Sequence, residues 1–383
     1  MLKAISYLLI CSLMHHSSYA QQPCNDELII NTKGSWKKNS DTNPFPDQGF
    51  PKNQFPMVTN RIDKMQKLLK AAYPEPKGIE AQWYRSISGG ALIKDGPVPY
   101  VFSALFLAYF CNTYENKIEP GGETSTWFYV WANQFNWFAE HIEIYAINKL
   151  PVYLLNKKVG EINGYAVYEG YNNGKPAASV HNRAVILTRA GQSPYLPVTQ
   201  KQFLKTFINY HETRNSKLLA DLEKNTTVLT DEEEAADKKR QLEKIERTTT
   251  PERLARAKDN FLKNYISSAQ RKEASIAQSK KYYEDELRPA RILLADSLIR
   301  DLEQPAILSY DNMLEFKEFI TEDKGGQQLV RLNPDYFNMT LPKYIPQLLI
   351  VYWSWGMGKA ELNFKNELEA NFNFNALKEM IDK

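Results

Sequence analysis

The sequence predicts an α+β protein, with an aromatic-rich antiparallel sheet body and an inserted, highly charged α-helical hairpin or bundle arm. Three observations predict this class. Residues 81–190 carry 20 aromatic side chains between turn-forming Gly and Asn residues, a pattern typical of short antiparallel strands. Residues 201–300 contain no glycine and 38 charged side chains, which is typical of exposed helices. Mixed strand and helix patterns return after residue 305, so the helical segment interrupts one domain.

Length and composition narrow the possible classes further. The 383 residues suffice for two domains, or for one domain with a large insertion. With 43% hydrophobic and 24% charged residues, the chain is expected to fold rather than to stay disordered. The net charge of +3 argues against nucleic acid as the main partner, because phosphate binding needs a strong local excess of basic side chains.

Residues 1–20 have the pattern of a secretory signal peptide. Lys3 precedes an apolar run over residues 4–14, and Ser18 and Ala20 are the small residues that signal peptidase requires. Cleavage after Ala20 predicts an exported protein, periplasmic or extracellular and surface-associated. A lipoprotein attached through Cys11 and a retained membrane anchor are the alternatives. Because no later segment reaches the roughly 18–20 apolar residues that span a bilayer, no transmembrane segment is expected in the mature chain.

Export would place the two remaining cysteines, Cys24 and Cys111, in an oxidising compartment. A disulfide between them is therefore possible, and closing so long a loop stabilises a fold by roughly 4 kcal/mol in the loop-entropy model. The alternative is a buried free thiol at Cys111, since this residue ends an apolar run.

The N-terminal part of the mature chain predicts a lead-in followed by one helix. Residues 21–56 contain five prolines and are expected to be extended along a domain. Thr59 is a plausible N-cap for a helix whose apolar stripe runs to Ala72, and Pro74 would end it. This helix and the strands that follow make up the body predicted for residues 57–198.

Six segments of the body have the composition of strands. Residues 100–113 are apolar on both sides, which predicts a central strand covered on both faces. The predicted strands are residues 84–94, 100–113, 124–138, 151–155, 164–168 and 179–189.

The arm is predicted over residues 199–304. Thr199 with Gln202, and Thr230 with Glu233, have the spacing of a capping box, and Pro251 follows Thr250 at a first helical position. The last helix is expected to run on to a kink at Pro289. A hairpin of helices is the simplest geometry, and a compact three-helix bundle is the alternative.

The C-terminal segment, residues 305–383, is predicted to pack onto the body. Strand patterns cover residues 327–332 and 348–355, and a helix pattern covers residues 374–382. Two short strands and one helix make only a small core by themselves, so this segment is expected to complete the aromatic sheet.

Three blocks of the chain resemble uncharacterised exported proteins of Bacteroidota. The blocks are Ala72-Tyr73-Pro74-Glu75-Pro76-Lys77-Gly78-Ile79-Glu80-Ala81 with Trp83-Tyr84-Arg85; Val185-Ile186-Leu187-Thr188-Arg189 with Gly191-Gln192, Pro194-Tyr195 and Pro197-Val198-Thr199; and Asn333-Pro334-Asp335-Tyr336-Phe337 with Leu341-Pro342. The resemblance implies export and assigns no activity.

The aromatic-rich segment over residues 124–138 supplies the candidate ligand-binding residues. If it is extended, its side chains alternate between two faces. One face would then carry Trp127, Tyr129, Trp131, Asn133, Phe135 and Trp137. Such a face predicts a stacking surface for an apolar or ring-bearing ligand, with Asn133 placing a polar group. The alternative is that these rings form ordinary hydrophobic core.

The three histidines of the mature chain, His141, His181 and His211, show no spacing typical of zinc ligands. No metal, cofactor or catalytic residue is therefore predicted. A hydrolase that uses His181, or His141 with Glu143, is the alternative, although no nucleophile-elbow motif accompanies either. Arg183 could bind an anionic ligand, or could be an ordinary charge at the end of a strand.

These patterns together favour an exported, non-catalytic binding or interaction protein over an enzyme. Its body would bind a glycan, lipid or peptide, and residues 201–300 would contact a protein partner or a second copy of the chain. A periplasmic hydrolase and a structural component of an envelope assembly are the alternatives.

Overall fold

The computed structural model describes residues 25–40, 52–87, 92–115, 117–135, 139–147, 149–169, 181–296 and 301–383. The predicted signal peptide and Cys24 lie outside these residues. The chain divides into two units. The first contains residues 1–140, 155–196 and 332–383, and the second contains residues 141–154 and 197–331.

The structure is α+β, as the sequence predicts. Its helices are α1 (Asp26–Asn31), α2 (Phe55–Ala72), α3 (Gln200–Asn225), α4 (Asp231–Thr248), α5 (Pro251–Asn264), α6 (Ser268–Ala295), α7 (Tyr310–Leu314), α8 (Lys359–Asn371) and α9 (Phe374–Lys378). The strands are β1 (Trp36–Lys38), β2 (Ile79–Ile87), β3 (Tyr100–Asn112), β4 (Lys117–Pro120), β5 (Trp127–Ala132), β6 (Ala139–Ile147), β7 (Leu150–Leu155), β8 (Lys158–Ile162), β9 (Tyr165–Glu169), β10 (His181–Leu187), β11 (Tyr195–Pro197), β12 (Ile307–Leu308), β13 (Gln327–Leu332) and β14 (Leu349–Trp355).

The first unit is built on a nine-stranded sheet. Its order is β1-β2-β3-β5-β14-β10-β9-β8, and β4 pairs with the end of β3. Neighbouring strands are antiparallel except β1, which runs parallel to β2. The C-terminal strand β14 lies between β5 and β10, with Val351 opposite both Val130 and Val185. Strand β3 is central, and its first five residues are buried on both faces, as its uninterrupted apolar sequence predicts.

One face of this sheet carries the hydrophobic core of the first unit. Helices α2 and α8 cover it, burying one apolar stripe each. Phe106 of β3 and Phe364 of α8 are in direct ring contact, with centroids 3.9 Å apart. Phe128 of β5 and Trp353 of β14 are fully buried on the same side. Since burial of large rings stabilises a fold by a few kcal/mol each, this face supplies much of the stability of the unit.

Two predictions for the N-terminal part are wrong in detail. Helix α2 begins at Phe55, with Pro56 in its first turn, rather than at an N-cap on Thr59. Proline is tolerated there because the first N–H groups of a helix have no intrahelical acceptor. Part of the expected extended lead-in is helix α1, whose first turn is capped by the side chain of Asn25.

The second unit combines the four long helices with a five-stranded sheet. Strands β13 and β7 are its centre, and β13 is antiparallel to both β7 and the short strand β12. Phe203 and Phe207 of α3 pack against Phe316, with ring centroids 5.4 and 5.8 Å apart. Leu287 and Ala290 of α6 join this core, so the base of the arm has its own hydrophobic cluster.

The arm is a hairpin of helices. Helix α3 packs along α6, and α4 packs along α5. Both predicted capping boxes are confirmed. The side chains of Thr199 and Thr230 each accept a hydrogen bond from the backbone N–H of the residue three positions later. The side chain of that residue accepts in turn from the backbone N–H of the threonine. These caps depend only on neighbouring residues, so the sequence alone predicts them.

The prediction of one long final helix is wrong. Residues 265–267 separate α5 from α6, and Ser267 begins α6 with a third capping box that includes Gln270. Pro289 lies inside α6 and does not end it. The sequence also gave no prediction of α8, whose N-terminus follows the Gly356-Met357-Gly358 loop directly after β14.

Candidate functional site

The second face of the nine-stranded sheet, opposite α2 and α8, carries a row of tyrosines. Strand register aligns one residue from each of six neighbouring strands directly across the sheet. The row is Tyr84, Ser103, Tyr129, Tyr352, Ala184 and Tyr168. Four phenol rings therefore cross a single face of the first unit.

Along β5 the same face carries three stacked rings, here called the aromatic ladder: Trp127, Tyr129 and Trp131. The centroids of Trp127 and Tyr129 are 5.7 Å apart with an interplanar angle of 10°. Those of Tyr129 and Trp131 are also 5.7 Å apart, at 24°. All three rings are half-buried, whereas Phe128, Val130 and Ala132 on the opposite side are buried. The alternation predicted for residues 127–132 is confirmed.

The stacking decides which ring surfaces a ligand can reach. Both faces of Tyr129 contact a tryptophan, so the ladder offers ring edges and the outer faces of Trp127 and Trp131. Aromatic edges carry partial positive charge, and they prefer the face of another ring or an acceptor oxygen. Along the ladder a ligand can therefore make edge-to-face contacts, and flat stacking is available at its two ends.

The hydroxyls of Tyr129 and Tyr352 are uncharged groups beside the ladder. Burial raises the pKa of Tyr129, and the neighbouring hydroxyls of Tyr84 and Tyr352 raise it further. Burial also raises the pKa of Tyr352, against hydrogen bonds from Ser354 and Asn182 that lower it. The phenols of Tyr129 and Tyr352 therefore stay protonated at neutral pH and act as hydrogen-bond donors and acceptors.

Asn133 does not belong to this face, and the prediction that it shares a face with the ladder is wrong. Strand β5 ends at Ala132, and Asn133 follows it with a left-handed φ of 56°. Its side chain is fully buried and bridges three backbone groups, those of Val98, Ile345 and Gln347. Asparagine tolerates positive φ better than most residues, which explains its place at this bend.

The bend also removes Phe135 from the ladder. Its ring is 1% exposed and contacts Tyr195 edge-to-face, with centroids 6.2 Å apart. Trp137, the last residue predicted for this face, lies outside the described residues. Of the six residues predicted to share one face, the structure brings together Trp127, Tyr129 and Trp131.

Arg183 lies on the other face of the sheet, where α8 supplies a partner. Its Nη1 donates to Oε1 of Glu369 at 2.8 Å, and Trp353 donates its Nε1 to the same oxygen at 3.1 Å. The Lys365 ammonium lies 2.9 Å from the other oxygen of Glu369. Arg183 and Lys365 thus share one carboxylate, and the ion pair of Arg183 with Glu369 ties β10 to α8.

His181 and His211 each contact residues of their own unit. His181 stacks on Trp355 at 5.6 Å, and its Nε2 lies 3.1 Å from the sulfur of Met357. His211 is buried between α3 and α6, with Nδ1 3.1 Å from Glu286, and burial lowers its pKa. The side chains of His141 and Glu143 lie outside the described part of the chain.

The part of the chain that the structure describes contains no cluster of three or more His, Cys, Asp or Glu side chains able to hold a metal ion. Cys111 is disulfide-bonded, and its partner lies outside the described residues, so pairing with Cys24 stays a prediction. Among the described helices, none combines the length and apolar character needed to cross a membrane.

Sequence reasoning missed Tyr84, Tyr352 and Tyr168 as neighbours of the ladder. The strand period of two places each of them on one of two faces, but β14 is buried throughout and β2 does not alternate, so no local signal indicates which face that is. Which strands are adjacent, and in which register, depends on pairings between residues far apart in the chain. A single sequence does not specify those pairings.

Comparisons with protein-family models, with curated protein sequences and with solved structures found no match to this chain. The resemblance to exported proteins of Bacteroidota therefore stays a prediction from the sequence blocks alone.

Proposed function

We propose that this chain is an exported, non-catalytic binding protein that holds a ring-bearing ligand against the aromatic ladder. The observation that carries the proposal is the alignment of three half-buried rings along β5, on a face where neighbouring strands add three more tyrosines in one row with Tyr129. Large rings that keep part of their surface open, beside hydrogen-bonding hydroxyls, are typical of ligand sites.

The geometry of the ladder favours one ligand class among those that the sequence suggests. A sugar ring packs best on the open face of an aromatic side chain, and the faces of Tyr129 are occupied by Trp127 and Trp131. A ligand with its own aromatic rings can place their negative faces on the positive edges of the ladder. An aromatic-rich peptide therefore fits better than a glycan or a saturated lipid.

Charge supports a neutral ligand at this site. The hydroxyls of Tyr129 and Tyr352 stay protonated because burial raises their pKa values. Arg183, which the sequence suggests as a contact for an anionic ligand, is paired with Glu369 on the other face of the sheet. Binding at the ladder should then depend little on salt concentration, since no ion pair contributes.

Export and protein contact complete the proposal. Residues 1–20 support delivery to the periplasm or to the cell surface. The charged arm, residues 201–300, supports contact with a protein partner or with a second copy of the chain. Exposed apolar side chains on the arm, including Leu262 and Ile266, add to this support.

A direct test uses three probes: the peptide Phe-Gly-Phe-Gly-Tyr, maltohexaose and dodecylphosphocholine. Binding to the full mature chain is measured by isothermal titration calorimetry. We expect the peptide to bind, and Trp131→Ala to weaken it at least tenfold. Trp83→Ala is the matched control, because Trp83 is a half-buried tryptophan of the same sheet that packs against the core on the opposite face.

The outcomes separate the alternatives. Equal loss with Trp83→Ala and Trp131→Ala would mean that the rings only stabilise the fold. Binding of maltohexaose alone would replace the peptide with a glycan. If none of the three probes binds, the ladder is structural core, and the proposal fails. The hydrolase alternative is tested separately, by turnover of ester and glycoside reporters and its loss in His141→Ala and His181→Ala.

A further inference from the structure

A groove in the first unit lies between helix α2 and the C-terminal residues 376–383. Its volume is about 780 Å³, within the range of roughly 300–1,000 Å³ that small-molecule sites occupy. It lies on the helix-covered side of the nine-stranded sheet, so it is distinct from the aromatic ladder. No sequence pattern pointed to it, because its two walls are separated by about 300 residues of chain.

The groove has an apolar interior. Met57, Arg61, Lys64 and Leu68 line it from α2 at spacings of three and four residues, which places them on one side of the helix. Met380 lines the opposite wall. Met57 is 46% exposed although it points into a groove, so an apolar surface remains open to solvent there.

Arg61 forms a rigid end to the groove. Its guanidinium lies 4.7 Å from the ring centroid of Tyr344. Its Nη2 donates to the carbonyl of Lys383 at 2.6 Å, and its Nη1 donates to the carbonyl of Met57 at 3.2 Å. These contacts hold the positive charge of Arg61 in place.

Three further cations border the groove: Lys64, Lys67 and Lys383. Lys64 and Lys67 are exposed, one turn apart on α2, and neither ammonium has a hydrogen-bond or ion-pair partner in the described ranges. The carboxylate of Asp63 already accepts from Arg85 at 2.6 Å. Glu379 on the opposite wall is the remaining acidic side chain of the lining, so positive charge exceeds negative charge at this site.

We propose that this groove binds a small amphiphile with one anionic head group and an alkyl chain, such as a long-chain carboxylate. The head would lie between Lys64 and Lys67, whose spacing suits a single carboxylate. The chain would lie over Met57, Leu68 and Met380, replacing water along the apolar interior. Methionine side chains adapt well to such flexible ligands because they are unbranched and polarisable.

The test measures binding of dodecanoate, below its micellar concentration, to the full mature chain by isothermal titration calorimetry. We expect saturable binding to one site, and at least tenfold weaker binding to the double variant Lys64→Glu/Lys67→Glu. Lys70→Glu is the matched control, because Lys70 is an exposed lysine of the same helix that does not line the groove. It should bind dodecanoate as the unaltered chain does.

Two other ligands test the head and the chain separately. Acetate carries the same head without the chain, and dodecyltrimethylammonium carries the same chain with a cationic head. We expect neither to bind measurably. Equal binding of dodecyltrimethylammonium, or equal weakening by Lys70→Glu, would overturn the proposal.

Folding and site identity are controlled independently. Far-ultraviolet circular dichroism checks that each variant keeps its helix content, and Lys64→Gln/Lys67→Gln repeats the test without reversed charge. Trp131→Ala should leave dodecanoate binding unchanged, since the ladder lies on the other face of the sheet. If Trp131→Ala abolishes dodecanoate binding, the ligand occupies the ladder and the groove proposal fails.

Discussion

The side-chain oxygen of Asn133 accepts a hydrogen bond of 2.8 Å from the backbone N–H of Gln347, 214 residues later in the chain. The amide of the same side chain donates to the carbonyls of Val98 and Ile345. One buried residue at the end of β5 thus joins the segments that precede β3 and β14. The sequence suggests Asn133 as a polar contact for a ligand, whereas in the structure its side chain holds three segments of the fold together.

Replacing Asn133 with alanine is expected to lower the free energy of unfolding by roughly 3 kcal/mol or more. The change leaves three buried backbone groups without a partner, and each costs about 1–3 kcal/mol. Alanine is also strained at the φ of 56° found here. Urea unfolding followed by tryptophan fluorescence measures the loss.

Asn133→Gly separates the two contributions, because glycine adopts positive φ without strain. It should be destabilised by the lost hydrogen bonds alone, and therefore less than Asn133→Ala. Equal stability of Asn133→Ala and the unaltered chain would contradict the bridging role.

Gly356→Ala is expected to destabilise the first unit by about 1–3 kcal/mol. A Cβ at this position would lie 2.5 Å from a carboxylate oxygen of Glu361. That carboxylate accepts from the backbone of Gly358 at 2.9 Å and from the buried hydroxyl of Thr126 at 2.8 Å, so moving it breaks the cap of α8.

The matched control is Gly122→Ala, since a Cβ there meets no atom within 4 Å. Its stability should stay within about 0.5 kcal/mol of the unaltered chain. Chemical denaturation of both variants, side by side, makes the comparison. Similar losses in the two would show that helix α8 does not need the close approach at Gly356.

His211 should make the stability of the arm depend on pH. Burial lowers its pKa in the folded chain, although Glu286 opposes this shift and Arg214 adds to it. The unfolded chain, with a histidine pKa of about 6.5, then binds the proton more readily. Stability is fully present above about pH 6.5 and is lost as the pH falls towards the lower folded value.

The variant His211→Phe keeps a ring against Phe207, whose centroid lies 4.2 Å from that of His211, and removes the titrating group. Urea unfolding at pH 7.5 and at pH 5.5 should show a smaller loss of stability for this variant. The difference is at most about 1.4 kcal/mol per pH unit. An identical pH dependence in both proteins would refute a lowered pKa at His211.

Glu234 is expected to link the two breaks in the helical hairpin, one between α3 and α4 and the other between α5 and α6. Its carboxylate accepts from the hydroxyl of Tyr265 and from the backbone N–H of Ser268, and these bonds lower its pKa. Leu229, in the break between α3 and α4, donates its backbone N–H to the hydroxyl of Ser268. Glu234→Ala should therefore loosen the chain around residues 265–267.

Limited proteolysis with chymotrypsin, which cleaves after tyrosine, measures this loosening as faster cleavage after Tyr265. Several-fold acceleration is expected in Glu234→Ala. Glu232→Ala changes the same residue type two residues before Glu234, at an exposed site, and should leave the rate unchanged. Equal rates in the two variants would assign no role to the Glu234 contacts.

Local features of the fold could be predicted because their causes lie within a few residues. The caps at Thr199 and Thr230 each need a side chain three positions later, and the apolar stripe of α2 needs only the helical repeat. The break before α6 escaped prediction although Ser267 and Gln270 carry the same signal. It lies within a charged, glycine-free stretch whose composition alone favours one continuous helix.

The candidate sites divide in the same way. Alternation along β5 places Trp127, Tyr129 and Trp131 on one face from sequence alone, because the strand period is two. The place where the strand ends depends on Asn133, whose partners are distant in the chain. The groove along α2 was beyond any local pattern, since residues 376–383 close it.

By itself, the sequence determined the class of the fold, the charged helical arm and the faces of individual strands, because these follow from composition and from periods of two and 3.6 residues. The tertiary structure alone decided which strands are neighbours, that Arg183 is paired with Glu369 186 positions away, and that four tyrosines share one row. The physical reason is that strand pairing and ion pairing join residues that are close in space. The distance between two residues along the chain does not indicate whether they are close in space.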